Sequence, residues 1–600
     1  MQNLTVRLCA DPVSRLAIGE TLLLPPLSIC EDEAHIALPA LSKDAQTRAL
    51  AVIREMVTSL ATENNNSDWW YLPVAEVQPS MSVLLDAVEL QFRLQALAER
   101  VRCGTFVLTV QNARVARYLF KCGLGFRVIA RRHDRTKWAV DRFKDRYRRY
   151  VNAALWAIEH VQRVNVFKPM PPLPKVVDTL FITRLEAELE EPDDTLLRQP
   201  WCDRYLGELI EEGRRRGPCV VLGRCGGNAE RLARLAARYD RFVLRTLYQV
   251  LGMNDVFKAI FRALRLRLRV PVEDGLFQLV RDESRNHVRA VADCLLVEKA
   301  VLNVSARCAV KRIVCMQENS VWEHAVVRAG RKHIPRVPLI GYFHCPVMPS
   351  AIRYHWWPEV PGRPIFDRVV PLGDAMARAL ERLGSWWPFL TPGYGFRNPD
   401  IRGCLNAVHH DAAEPYRIVV LLGGMFDNAV FLKWVDHARQ GLPAHRLLIK
   451  GHPVYGSSQV LKSAKLDVGK VGGIEDISHL SLLEALQLAD CVVYKGTTVG
   501  ISALAAGVPA IHVDHGGLQS DDALFDSGGL SASVATPASL REAIKCAMDK
   551  TSDERAAWRR DAQAYARNYY ELSEERRNAV LASIFEDTTF AAKRPVGGEP

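Results

Sequence analysis

Short apolar runs alternating with amphipathic stretches recur twice along this chain, over 176–372 and again over 418–549. In the first series the runs fall at 176–182, 219–223, 312–316, 337–342 and 368–372; in the second they fall at 418–423, 446–450, 491–494 and 509–513. Helical patterns are predicted at 201–213 and from 228, then at 428–439, 481–489, 500–506 and 538–549, with a long charged helix over 554–585. Strands that alternate with helices imply a parallel sheet, because parallel neighbours need a crossover and the helix supplies it. The expected fold class is therefore α/β, with two doubly wound units in tandem. At roughly 100–200 residues per domain, 600 residues accommodate two large units with insertions. The stretch 384–414, rich in Gly, Pro and aromatic residues, is read as the connection. The predicted division is 1–395, with a helical insertion at about 131–170, then 396–587, then a disordered tail at 588–600. Before the insertion, strands are expected at 6–9, 103–110 and 126–130, and helices at 45–60 and 80–100.

Composition narrows the class of protein. Hydrophobic residues at 48% and charged residues at 24% are ordinary for a globular chain and exclude a disordered or fibrous one. No run is long and apolar enough to span a membrane, and no basic, then apolar, leader opens the sequence, so a cytoplasmic location is expected. The 14 cysteines are scattered without a CxxC pair, which speaks for reduced thiols and against a zinc ribbon. A net charge of +11 suits an anionic partner without choosing one. Between residues 131 and 150 lie nine Lys or Arg against three acids, interleaved with Trp138, Phe143, Tyr147 and Tyr150. A long helix is expected there. It is either a solvated helix packed by its aromatic face or, over 131–156, a contact with the inner-membrane surface. Nucleic acid is not the expected partner.

Ligands of doubly wound sheets sit beyond the C-terminal strand ends. One such end is Arg446-Leu-Leu-Ile-Lys-Gly-His-Pro453. His452 at that edge can donate to a phosphate or sugar oxygen, with Lys450 beside it. Gly451 would let the backbone approach a ligand, and Pro453 fixes the departing chain. A turn with a satisfied histidine remains the alternative. A second end reads Cys491-Val-Val-Tyr-Lys-Gly-Thr-Thr-Val-Gly500. Gly496, Thr497 and Thr498 bring backbone N–H groups, a helix dipole and two hydroxyls together, which suits a phosphate. Plain N-capping by threonine is the alternative. Gly423 and Gly424, after the first strand of the second series, permit either close approach to a donor or a tight turn.

These stretches carry a family likeness. The region from about 418 to 513 resembles the donor-binding half of a GT-B-fold glycosyltransferase. Lys-Gly-His-Pro followed by Thr-Thr is similar to the His-Pro and Ser/Thr motifs of bacterial CMP-sugar transferases, including sialyl and Kdo transferases of capsule and lipopolysaccharide synthesis. The resemblance implies that His452, Thr497 and Thr498 hold the donor phosphate. Met316-Gln-Glu-Asn-Ser-Val-Trp-Glu-His324 and Leu339-Ile-Gly-Tyr-Phe-His-Cys-Pro346 resemble stretches of bacterial surface-carbohydrate biosynthesis proteins. Two departures stand out. The helix after the donor loop, Ile501-Ser-Ala-Leu, lacks the ribose-binding Glu of many retaining enzymes. Glu273-Asp274-Gly275 matches the acidic motif of sialyltransferases in letters but follows no clear strand.

An inverting transfer needs a base facing the donor. Glu318, just past the strand 312–316, is the first candidate; Glu323 lies one helical turn on, and His344 ends the next strand. The expected activity is thus a metal-independent glycosyltransferase without a resident cofactor, using a nucleotide sugar, CMP-linked, and a surface polysaccharide or glycolipid acceptor. A sugar-nucleotide epimerase, a polyol-phosphate transferase and a non-catalytic scaffold are the alternatives.

Overall fold

The computed structural model describes residues 41–64, 68–76, 83–101, 115, 118–119, 132–166, 172–185, 203–224, 243–271, 275–355, 357–397, 399–407, 415–423, 428–452, 457–466, 473–514 and 516–586, with short strands at 4–7, 28–30, 105–109 and 127–129. Its frame is two six-stranded parallel sheets. The first is built from β1 (Thr179–Arg184), β2 (Cys219–Arg224), β3 (Val243–Thr246), β4 (Ile313–Gln317), β5 (Leu339–Phe343) and β6 (Arg368–Val370), in the spatial order β6-β5-β4-β1-β2-β3. The second comprises β7 (Tyr416–Leu421), β8 (His445–Lys450), β9 (Ile474–Asp476), β10 (Cys491–Tyr494), β11 (Ala510–Val513) and β12 (Ser531–Val534), ordered β9-β8-β7-β10-β11-β12. Both orders are 3-2-1-4-5-6 within their own unit, the doubly wound Rossmann order. The chain is therefore two Rossmann-like units in tandem. The direction of winding reverses between β1 and β4 in one unit and between β7 and β10 in the other.

The strands are apolar because both faces are covered. In β7, Ile418 and Val420 enter one core while Val419 and Leu421 enter the other. The strands near the sheet centres match their apolar runs. The short β3, β9 and β12 escape that reading, since Arg245, Glu475 and Asp476, and Ser531 and Ser533 interrupt any apolar signal.

Nine helices matter below: α1 (Lys43–Glu63), α2 (Val83–Val101), α3 (Arg132–Val166), α4 (Met253–Arg265), α5 (Val288–Ser305), α6 (Val321–His333), α7 (Val499–Ala505), α8 (Ser552–Tyr569) and α9 (Glu574–Phe585). The N-terminal strands 4–7, 28–30, 105–109 and 127–129 form a four-stranded sheet of their own. The long basic helix exists as α3, 35 residues in length.

Three expectations about elements change. Residues 203–207 are not helical; the helix there begins only at Leu209. Asp203 Oδ1 accepts from the backbone N–H groups of Tyr205 and Leu206 at 2.9 and 2.6 Å, and Gly207 sits at φ 59°, so the chain turns instead of coiling. The 384–414 connection is partly structured: Leu390 pairs with Val369 of β6, and residues Pro399–Leu405 are helical. The closing helix is two helices. Tyr570 ends α8, and Ser573 caps α9 by accepting from Arg576 N at 3.4 Å. That break sends α9 back to the first unit. There Phe585 meets Phe181 of β1 with ring centroids 6.4 Å apart, and Arg577 pairs with Glu212 at 2.6 Å.

Candidate functional site

At the reversal point of the first sheet, Gln317 ends β4 and Glu318 follows. Asn319 adopts φ 61°, a left-handed conformation that Asn tolerates, and its side chain meets His324 Nε2 at 3.2 Å. Ser320 then caps α6 in a capping box with Glu323. Glu323 Oε2 accepts from Glu318 N at 2.9 Å and from Ser320 N at 3.2 Å. Burial, and then the Glu318 charge, push the Glu323 carboxyl up to about 8. Glu323 thus positions the Glu318 backbone and is buried, 1% exposed.

The next strand end, after β5, brings His344 and Cys345. His344 Nε2 lies 3.0 Å from Glu318 Oε1, and Arg353 Nη1 lies 3.6 Å from Glu318 Oε2 and 3.3 Å from Glu76 Oε1. Burial alone would raise the Glu318 pKa. The Arg353 guanidinium, followed by His344, outweighs burial and holds the carboxyl well below the usual range. Burial opposes charge on His344, but the Cys345 thiol and Glu318 outweigh it and raise the imidazole. Burial likewise opposes ionisation of Cys345, and His344 overcomes it, lowering the thiol. The edge therefore carries carboxylate, imidazolium and a thiol of lowered pKa, side by side. Cys345 was not singled out from sequence; its signal is only that it follows His344 at a strand end. Among the described residues, Glu318, His344 and Cys345 form the one acid, His and Cys group with ligand atoms within 4.8 Å of one another. The Arg353 guanidinium on the same carboxylate works against a cation there.

At the reversal point of the second sheet, the ends of β7 and β10 touch. A Cβ on Gly423 would lie 2.7 Å from Lys495 O and 3.3 Å from Gly496 O. Gly423 thus serves close contact between two loops, and Gly496 at φ 56° serves the turn itself. Thr497 and Thr498 are half-buried. Thr498 precedes α7 in helical conformation and makes no side-chain capping bond, so N-capping does not account for it. Lys495, which the sequence reading passed over, is pushed down to about 8 by burial, against the pull of Asp521, Asp514 and Glu89.

On the neighbouring strand end, Lys450 Nζ donates to Leu480 O at 2.5 Å, and Gly451 N donates to Ser478 Oγ at 2.8 Å. A Cβ on Gly451 would lie 3.0 Å from Ser457 N and from Ser478 Oγ. Its smallness fits this turn, not the approach of a ligand. His452 is half-buried, and burial and then Arg204 lower its pKa, leaving a neutral imidazole. Pro453, Gly424, Glu273 and Asp274 lie outside the described residues.

The turn 203–207 links the two edges. Arg204 acts on His452 of the second unit, while the Tyr205 ring meets His344 edge-on at 5.0 Å. Arg397 completes the link: it lies over Tyr205 at 5.8 Å and donates to His344 O at 2.9 Å. Asp203 anchors the turn by accepting from Thr183 Oγ1 at the end of β1, at 3.0 Å. The structure thus groups Glu318 and His344 with Tyr205 and Arg397, while the charge of the adjoining Arg204 bears on His452. Thr497, Gly496 and Gly423 gather one strand away. From the far side, Glu89 and Arg93 of α2 fix the loop after β11, bonding Leu518 N at 3.1 Å and Gly516 O at 2.7 Å.

No protein-family model matches the chain, and no curated protein matches it. Solved structures do overlap with it. The MnaA–UDP structure of S. aureus is 10% identical, with 68% of this chain and 96% of that one covered at a TM-score of 0.38. The calicheamicin glycosyltransferase CalG4 is 15% identical, with 69% and 100% covered at 0.37. The wall teichoic acid polymerase TagF is 10% identical, with 75% and 98% covered at 0.33. The fold class rests on the strand orders above and not on these overlaps.

Proposed function

We propose that this chain is a glycosyltransferase using a nucleotide sugar, with a CMP-linked acidic sugar such as Kdo or sialic acid as donor and a surface polysaccharide or glycolipid as acceptor. The observation that carries the reading is the strand-end edge of the first unit, where Glu318 pairs with His344, Arg397 donates to His344 O and Tyr205 packs on the His344 ring. One edge offers a neutral imidazole, two hydroxyls and a left-handed glycine turn, groups able to bind a phosphate. The other offers an ionised carboxylate for the acceptor hydroxyl. Arg204 and Arg397 bring fixed positive charge to where a leaving phosphate would develop its own. In this reading Glu318 takes the acceptor proton as the hydroxyl attacks the anomeric carbon and the nucleotide phosphate leaves; the Arg353 and His344 contacts that hold its carboxyl low must loosen when the acceptor binds for it to act as a base. The CMP preference is supported by the motif resemblance alone.

Thermal stabilisation by CMP, CDP, UDP, GDP and ADP, with wild type beside His452→Ala, tests the reading. Stabilisation by CMP that disappears in the variant is the expected result. Stabilisation by UDP or CDP alone would overturn the CMP assignment and send assays to an epimerase or polyol-phosphate transfer. No response to any nucleotide, with turnover absent, would sink the enzyme reading in favour of a scaffold.

A further inference from the structure

Helices α3 and α4 each have two apolar faces, and only one of each is packed. In α3, Ala153, Trp156, His160 and Val164 are buried against the first unit. On the opposite side, Tyr147, Val151, Leu155 and Ile158 form a stripe at spacings of four, four and three, with Ile158 56% exposed. In α4, Val256, Ala259, Ile260 and Ala263 are buried, while Met253, Phe257 and Phe261 line the outer side at steps of four, with Phe261 59% exposed. Both helices pack on α5 and against each other. A helix that is apolar on two sides is ordinarily buried on both. Contiguous exposed apolar surface of this kind marks an interaction site.

The chain leaving α4 adds charge. Residues 265–270 run Arg-Leu-Arg-Leu-Arg-Val; Leu268 is buried, and Arg265, Arg267 and Arg269 are exposed. Asn64 holds this segment in place, accepting from Arg269 N at 3.0 Å and donating to Arg269 O at 2.8 Å. Arg265 at the end of α4, then Arg267 and Arg269 on either side of the buried Leu268, thus leave three exposed arginines within five residues. Over 147–166 and 253–269 there are eight Lys or Arg and two acids, Glu159 and Asp255. Both acids are engaged, Glu159 with Arg163 at 2.5 Å and Asp255 with Gly252 N at 2.9 Å.

We propose that the outer faces of α3 and α4, with the arginine row at 265–269, are a docking surface for an anionic lipid bilayer. Aromatic and aliphatic side chains enter the headgroup boundary while the rim of arginines and Lys258 meets lipid phosphates. A second copy is the poorer occupant, because an isologous contact would set one basic rim against another. For 131–156 the sequence leaves a solvated helix and a membrane-surface contact as alternatives. The α4 face and the arginine row are what the structure adds, and neither depends on the transfer reaction.

The test is co-sedimentation of the full chain with phosphatidylglycerol-containing vesicles and with pure phosphatidylcholine vesicles, at low and high salt. The wild type is expected to bind the anionic vesicles at low salt and to be released by high salt. Phe257→Ser with Phe261→Ser, and separately Arg265→Glu with Arg267→Glu and Arg269→Glu, should each weaken binding about tenfold or more. The substituted side chains are exposed, so an unchanged melting temperature verifies the fold. Equal binding to both vesicle types, or unchanged binding by the phenylalanine variant, would overturn the proposal. So would a dimer in light scattering that dissociates in that variant, since a second copy would then be the occupant.

Discussion

The carboxylate of Glu318 holds the cleft edge together, and pH should expose it. Its folded pKa lies below the unfolded value of about 4.3, so its stabilisation is present above that value and lost as pH falls through the depressed one. His344 has the opposite sign. Its raised pKa means its stabilisation is full below about 6.5 and lost as pH rises through the native value. The pair is thus most stabilising between about 4.3 and 6.5. The melting temperature of the wild type should fall on the alkaline side more steeply than that of His344→Gln; parallel curves would contradict the pairing. Glu318→Gln should lower kcat/KM for the transfer by about a hundredfold to ten-thousandfold. Removing one partner of this pair should also cost about 3–5 kcal/mol of stability, read from denaturant unfolding. The thiol beside them gives an independent check. Cys345 should alkylate faster in the wild type than in His344→Gln, tracked by mass spectrometry, because the imidazolium lowers the thiol pKa.

Turns decide the site at the scale of elements. The approach of the β7 and β10 loops leaves no room for a side chain at Gly423, whose Cβ would stand 2.7 Å from a backbone oxygen. Gly423→Ala is therefore expected to lower the melting temperature and to abolish stabilisation by the donor nucleotide together. A variant that still responds to nucleotide would separate that contact from the binding edge. The central strands were legible in the sequence because burial on both faces makes them continuous apolar runs. The turn 203–207 was not, since its Leu and Glu spacing reads as helix until Asp203 folds back on its own backbone. Gly451 misled in the same way: a small residue at a strand end suits a ligand or a neighbouring turn equally, and here the 457 and 478 backbone and hydroxyl groups stand beside it.

The chain closes on itself at the scale of the whole molecule. After the second sheet, α9 returns to the first unit, where Phe585 is buried beside Phe181 and Arg577 pairs with Glu212. Phe585→Ala should destabilise the fold by about 3–5 kcal/mol, measured by denaturant unfolding. The sequence by itself determined the two alternating series and the strand ends where Glu318, His344, His452 and Thr497 lie, because burial periodicity is written locally. Only the tertiary structure decided that Arg353 joins Glu76, 277 positions away, to Glu318. It alone brought Arg397 to His344, turned α9 back across the molecule and left the outer faces of α3 and α4 uncovered. The reason is physical: strand order and helix return are chosen by contacts between distant segments, and apolar periodicity shows which faces are buried without showing what buries them.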